Sequence, residues 1–462
     1  MADYDVIIVG GGVAGTCCGA ILSKLKKKVM VLEREQEVGG RAAEMKVDGF
    51  TIAEGGHMLE DSGSGLHKVF DYVGEPLDNT GKVNDAMPVY YNQRWYDIQD
   101  LYKNDRDELK KIIRHIVSCE FADFDQYDNW PLRRWLKDHT SSEAIILMYE
   151  TLAMLEYMTV NRWYDHSASD FLYTRKLHYE EKRMAGYSES PKGGFSKICK
   201  TLADVITRNG GKIVTGVTVN QVLIDKEQVT GVEVERGRPG IPNVYGEMEV
   251  INAPVVICTL PVWNILNIIP EEHLPVWYAG QIKNMSKIEN RTCWFGFYAA
   301  LDAPVYISSE LELSGWLNGP VTGMAGFAFM PSTLDAEMAP PGKHIICCGI
   351  TADPVMAINK VWLKKKFEEF DQEMDILYPN LKKHLIWKKR NLVLDYNVIQ
   401  KPGLVGAHRP DNKVPNIEGL WLAGDTVRSR QIGVDRAARC AMTVVEGVLG
   451  HRIPEFKDSW HY

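Results

Sequence analysis

Residues 6–15 read Val6-Ile7-Ile8-Val9-Gly10-Gly11-Gly12-Val13-Ala14-Gly15. Four β-branched residues make a short, fully apolar run, the pattern of a buried parallel strand. The glycines that follow open a small-residue helix through Leu25. GxGxxG between a strand and a helix is a dinucleotide-binding signature. Gly10 allows the tight turn, Gly12 lets the backbone approach a pyrophosphate, and Gly15 lets the helix pack close to the strand. Val13 and Ala14 lie in the first helical turn, where free N–H groups and the positive dipole end face phosphates. A second strand, Lys28-Val29-Met30-Val31-Leu32, ends at Glu33. An acid there accepts hydrogen bonds from a ribose diol and disfavours a 2′-phosphate.

The chain of 462 residues is too long for one ordinary core, so two or three domains are expected. Hydrophobic residues make up 45% and charged ones 25%, a globular composition. The net charge of -8 argues against a nucleic-acid partner. The nine cysteines are scattered, with no CxxC, which suits reduced thiols in a cytoplasmic protein and no metal site. The first residues run straight into a strand, so no signal peptide is expected. The longest apolar stretch, 253–270, is broken by Pro261, Asn264 and Asn267, and no run is long enough to span a bilayer.

Beyond Glu33-Arg34-Glu35 come Val38-Gly39-Gly40-Arg41-Ala42. With this Gly-Gly-Arg turn after the ribose-binding acid, the chain resembles the flavin amine oxidase and phytoene desaturase superfamily. Three further blocks occur in that family's order. Gly49-Phe50-Thr51-Ile52-Ala53-Glu54-Gly55-Gly56-His57 is similar to the segment that passes over the isoalloxazine, although many members have Asp where this chain has Glu54. Pro191-Lys192-Gly193-Gly194-Phe195, a helix, and Val217-Thr218-Val219-Asn220-Gln221-Val222 resemble the return to the cofactor domain. Gly419-Leu420-Trp421-Leu422-Ala423-Gly424-Asp425 and the helix that begins at Gly433-Val434-Asp435 resemble the closing block.

The resemblance implies a Rossmann-like α/β fold with an inserted mixed-sheet and helical substrate domain. It implies one FAD, held non-covalently. Gly10, Gly12, Val13, Ala14, Gly15, Glu33, Arg34, Gly40 and Arg41 are then expected on the dinucleotide half. Gly55, Gly56 and His57 are expected over the ring, with the Val219 backbone at the adenine. Asp425, after Gly424, is expected at the ribityl or pyrophosphate part, with Gly433 and Val434 at the flavin N1/C2 carbonyl. An arginine at position 41 suits phosphate because its planar fork can hold two oxygens. Asp435 reads either as a flavin-directed acid or as a plain N-terminal cap.

The same resemblance divides the chain into a discontinuous FAD domain (1–75, 190–270 and 400–450), a substrate domain (76–189 and 271–399) and a C-terminal tail (451–462). The first insertion reads as mostly helical. Leu109, Ile112, Ile113, Ile116 and Val117 recur at helical spacing beside Lys110, Lys111, Arg114 and His115. Packing of that stripe on a core is the stronger reading, and contact with a membrane surface the weaker one. Trp130, Trp135, Tyr149, Tyr157, Trp163 and Tyr164 are aromatic candidates for core or pocket. The second insertion alternates like strands around Trp294-Phe295-Gly296-Phe297, 327–329 and 344–350, and then reads as helix over 360–377.

No Tyr or Trp pair stands ahead of Gly433, and Cys440 lies well inside the last helix. These features count against a typical amine oxidase and against a covalent flavin, and favour the phytoene desaturase-like branch. The expected reaction passes hydride between a small organic substrate and flavin N5, with dehydrogenation or saturation of a carbon–carbon bond. An amine oxidase releasing hydrogen peroxide, and a redox-neutral isomerase, hydratase or lyase, stay open. With no second dinucleotide motif, the electron acceptor is oxygen, a quinone or a carrier. Arg428 and Arg430 lie in the loop expected near the flavin. They either grip an anionic substrate or pair with Asp425, Asp435 or phosphate. His57, which titrates near neutrality, is the candidate general base.

Overall fold

The computed structural model describes residues 2–459 apart from 54, 56–58, 61–63, 81–86, 158–164, 181–186, 237–245 and 307–312. Its centre is a five-stranded parallel sheet in the order Lys212–Val214, Val29–Leu32, Val6–Val9, Val256–Cys258, Leu420–Leu422. Val29–Leu32 and Lys212–Val214, the next two strands in the chain, lie to one side of Val6–Val9, and the last two to the other. Val6–Val9 therefore sits where strand order reverses, and ligands of such sheets bind beyond the carboxyl ends at that point. Val6–Val9, Val29–Leu32 and Val256–Cys258 are apolar along their whole length because both faces are covered. The first helix, Val13–Lys24, packs against the helices Ser196–Arg208 and Gly433–Leu449. Gly15 lets the same helix sit close on the turn that precedes it: a Cβ there would stand 1.9 Å from the Gly10 carbonyl oxygen.

A second, seven-stranded mixed sheet runs in the order Leu385–Val398, Arg291–Leu301, His344–Ala352, Gly326–Phe329, Leu313–Trp316, Pro88–Tyr91, Arg94–Asp97. Strands from both inserted stretches join in it. Alternate residues of Arg291–Leu301 serve two cores. Phe295 and Phe297 pack on Phe367 and Phe370 of the helix Lys360–Leu377, while Trp294 and Tyr298 face Phe327 and Phe50. The edge strand Leu385–Val398 is half exposed and rich in Lys and Arg, which discourages pairing with another chain.

The helices Arg106–Ser118, Leu132–His139, Glu143–Tyr157 and Ala168–Glu180 share a third core. Leu109, Ile112 and Ile116 are buried in it, with Ile113 and Val117 half-buried at its edge, so the basic amphipathic helix packs inward. Among the described residues no helix is long and apolar enough to cross a membrane.

Candidate active site

The residues just beyond the five parallel strands, Gly10, Glu33, Val217, Thr259 and Gly424, line one cavity of about 970 Å³. The glycine turn forms its floor. No side chain caps the first helix at Gly12, and a Cβ at Gly12 would come no closer than 3.9 Å to any atom. Space and helix N–H groups thus stand open where a pyrophosphate is expected. Val13 and Ala14 line the same place, while Gly15 lies behind it, in the packing of helix on turn.

Glu33 is buried, and its carboxylate is aimed by the backbone. Oε2 accepts the Gly11 N–H at 2.6 Å and Oε1 accepts the Glu35 N–H at 2.9 Å. A carboxylate fixed by two donors keeps lone pairs for a diol. Arg34 runs along the rim and pairs with Glu35. Val219 lines the wall where the ladder with the neighbouring strand shifts register between Val219 and Gln221.

Arg41 and Asp425 close the middle. The Arg41 fork donates to both Asp425 oxygens, at 3.0 and 2.5 Å, and Nη1 also donates to the Tyr396 carbonyl at 2.8 Å. The Asp425 carbonyl accepts from Arg409 at 2.6 Å; Arg409 is 1% exposed and bonds the Leu404 carbonyl and Gln400 as well. Gly40, Gly55 and Gly424 line this stretch. At the far end stand Gly433, Val434 and Ala437 of the last helix, again with no capping side chain, beside Met87, Glu156, Tyr157, Leu313, Phe327 and Ile432. The residues present fit an extended dinucleotide, which Glu33, Arg41 and the two uncapped helix N-termini would hold. Gly56, His57 and Glu54 lie outside the described residues.

The structure does not bring Arg428 or Arg430 to the cavity, and the expectation of an anion grip there is corrected. Arg428 is half exposed and pairs with Asp411. Arg430 is 2% exposed and turns the other way, to Asp125 (2.5 Å), Asp128 (2.9 Å) and Ser169 (3.0 Å). A desolvated guanidinium needs a carboxylate, and the chain supplies its own. Arg436 pairs likewise with Asp170, whose carboxyl these arginines hold below its usual range against the opposing effect of burial. Asp435 neither caps its own helix nor lines the cavity; it accepts the Leu66 N–H at 3.0 Å and ties two helices together.

Cys440 is a structural thiol. It accepts the Gly424 N–H and an Asn412 N–H, both at 3.2 Å, and burial pushes its pKa to about 11. Of the aromatic candidates in the first insertion, Tyr157 reaches the cavity wall, Trp135 and Tyr149 are core, and Trp163 and Tyr164 lie outside the described residues. Glu156, Tyr396 and Arg409 belong to the site or its support and were not singled out from sequence.

Comparison with known proteins agrees with this geometry. The family model for flavin containing amine oxidoreductase matches residues 13–439. The chain is similar to a 4,4'-diapophytoene desaturase of Methylomonas sp, at 22% identity over 54% of this chain and 53% of that protein. It is similar to the all-trans-retinol 13,14-reductase of Danio rerio, at 22% over 65% and 54%. The chain thus spans about half the length of these curated relatives. A chloroplastic prolycopene isomerase of an Oncidium hybrid cultivar is 20% identical over 88% of this chain and 73% of its own. Among solved structures, an oxidoreductase from Methanosarcina mazei has the same fold, with a TM-score of 0.74 at 19% identity, covering 96% of this chain and 99% of that one. The chain belongs to the flavin containing amine oxidoreductase family.

Proposed function

We propose that the chain adds or removes hydrogen across a carbon–carbon bond of an apolar, unsaturated organic molecule. FAD, bound without a covalent link, supplies the two-electron acceptor or donor. One observation carries the reading: every charged side chain that lines the cavity among the described residues already has a partner within the chain. Glu33 accepts two backbone N–H groups, Arg34 pairs with Glu35, Glu37 with Lys200, Arg41 with Asp425, and Glu156 with Arg175, while Glu44 accepts the Phe195 and Ser196 N–H groups. Among the described residues no charge is left over for a substrate anion, and Met87, Tyr157, Leu313, Phe327 and Ile432 offer apolar contact. Binding at such a wall rests on shape and apolar area. The names of the relatives, which speak of diapophytoene, retinol and prolycopene, support a substrate of this class.

A redox-neutral isomerisation is the second reading, supported by the similarity to prolycopene isomerase over 88% of the chain. The test is the flavin absorbance of purified holoprotein under nitrogen, with polyenes, their saturated counterparts and amines added one class at a time. Bleaching by a hydrocarbon-like substrate, with a new double bond in the product, supports the proposal. Double-bond rearrangement only after prior reduction, with the flavin left reduced, moves the chain to the second reading. Peroxide from amines and no effect of polyenes would sink both.

A further inference from the structure

We propose that Glu156 and Arg175 form a fixed dipole whose carboxylate end faces the substrate and acts as the catalytic acid–base group. This rests on the carbon–carbon reading above. Glu156 is the penultimate residue of the helix Glu143–Tyr157, is 8% exposed and lines the cavity beside Tyr157, Met87 and Ile432. Arg175, on the helix Ala168–Glu180, is fully buried, pairs with the Glu156 carboxylate, and lies outside the lining. Its guanidinium stands 5.0 Å from the Phe171 ring centroid, which holds it in place behind the carboxylate. The pair is neutral as a whole. Seen from the cavity, however, its negative end is in front and its positive end behind.

Among the described residues, the other proton-bearing groups that line the cavity are committed elsewhere. The Tyr157 hydroxyl donates to Thr174 Oγ1 at 2.7 Å, and the Tyr396 hydroxyl to the Gly55 carbonyl at 2.6 Å. Burial holds both phenols above their ordinary pKa. Glu33 and Asp425 are taken up along the dinucleotide stretch.

The chemistry needs such a group. One substrate carbon gives up hydrogen with both bonding electrons to the bound flavin, and positive charge is left on that carbon. The neighbouring C–H bond then breaks. Its electrons form the new double bond, and its proton goes to the Glu156 carboxylate and on to water. The substrate is oxidised by two electrons, the flavin is reduced by two, and one proton is released; saturation runs the same steps backward. A preorganised negative end in a dry wall stabilises the passing cation without reorganisation.

The test uses holoprotein. E156Q strands a buried guanidinium and can fail to fold for that reason alone. The E156Q/R175M pair removes the dipole without stranding a charge, and flavin content and melting temperature report its folding. The first readout is binding, by perturbation of the flavin spectrum, of protonated N,N-dimethylgeranylamine against a neutral hydrocarbon of the same shape. Wild type is expected to prefer the cation about tenfold, and the pair variant to lose that preference. Equal binding by wild type overturns the proposal. The second readout is polyene turnover, expected to fall about 10²-fold or more in the folded pair variant with polyene affinity kept. Full turnover by that variant also overturns it. Should wild type turn over no polyene at all, the carbon–carbon reading fails, and the cation preference still decides whether the carboxylate faces the cavity.

Discussion

Arg41 and Asp425 stand 384 positions apart in the chain and meet in a two-point ion pair, with nitrogen–oxygen distances of 3.0 and 2.5 Å. The pair joins the glycine turn after the second strand to the loop that ends the fifth. Arg41 is part exposed and lines the cavity, so its remaining donor capacity faces the dinucleotide stretch. R41A removes that capacity and leaves the Asp425 carboxylate beside the diphosphate it should help to hold. FAD affinity should fall about tenfold or more, equal to at least about 1.4 kcal/mol. R41K keeps the charge without the fork and should land between. Fluorescence titration of apoprotein with FAD measures both, and unchanged affinity in R41A would remove Arg41 from the cofactor site.

Arg428 and Arg430 are two positions apart and should behave oppositely. R430M strands Asp128, which is buried, and takes one partner from Asp170. Loss of one member of such a network costs about 3–5 kcal/mol. R428M breaks a half-exposed pair with Asp411 and should change stability by no more than about 0.5 kcal/mol. Urea midpoints of the two variants check this. Equal midpoints would mean that Arg430 is not held as described.

The contrast between these arginines also marks what was legible beforehand. The strand–turn–helix of 6–25, the five parallel strands and the helix Lys360–Leu377 follow from local patterns, because periodicity and glycine placement act over a few residues. The direction of Arg430 does not. It is set by Asp128, 302 positions upstream, and by Ser169, 261 upstream, whose arrival no local rule reports. The strand Leu385–Val398 was missed for a related reason. Lys388, Lys389 and Arg390 break any apolar alternation, and only pairing with Arg291–Leu301 makes them an edge strand. Glu156 is not legible either: its partner Arg175 comes from another helix, and no local rule reports that pairing.

His166 predicts a pH dependence. Burial holds its imidazole at a pKa of about 3 against an ordinary 6.5; Asp170 opposes the shift, and Arg436 and Arg175 add to it. Below pH 6.5 the unfolded chain takes up a proton that the folded chain refuses, so the residue costs stability as pH falls from 6.5 toward 3. H166F removes that loss. The drop in unfolding free energy between pH 7.5 and pH 5 should be smaller by about 2 kcal/mol in the variant. Parallel denaturation curves at the two pH values measure it, and identical drops in both proteins would mean that His166 charges freely in the fold.

Two glycines of one motif should fail in different ways. At Gly15 a Cβ would stand 1.9 Å from the Gly10 carbonyl oxygen and 3.0 Å from Thr259 Oγ1, so G15A must push the first helix off the sheet. The sheet core depends on that packing, and G15A should lower the stability of apoprotein and holoprotein alike. At Gly12 a Cβ meets nothing nearer than 3.9 Å, and the backbone φ of -75° suits any residue. G12A should therefore leave the apoprotein as stable as wild type, within about 0.5 kcal/mol. Its methyl group fills the place where the diphosphate must approach the helix N-terminus, so FAD should be lost. Melting curves of both variants with and without added FAD separate the two roles. A G12A protein that is stabilised by FAD as wild type is would show that the cofactor does not lie against the glycine turn.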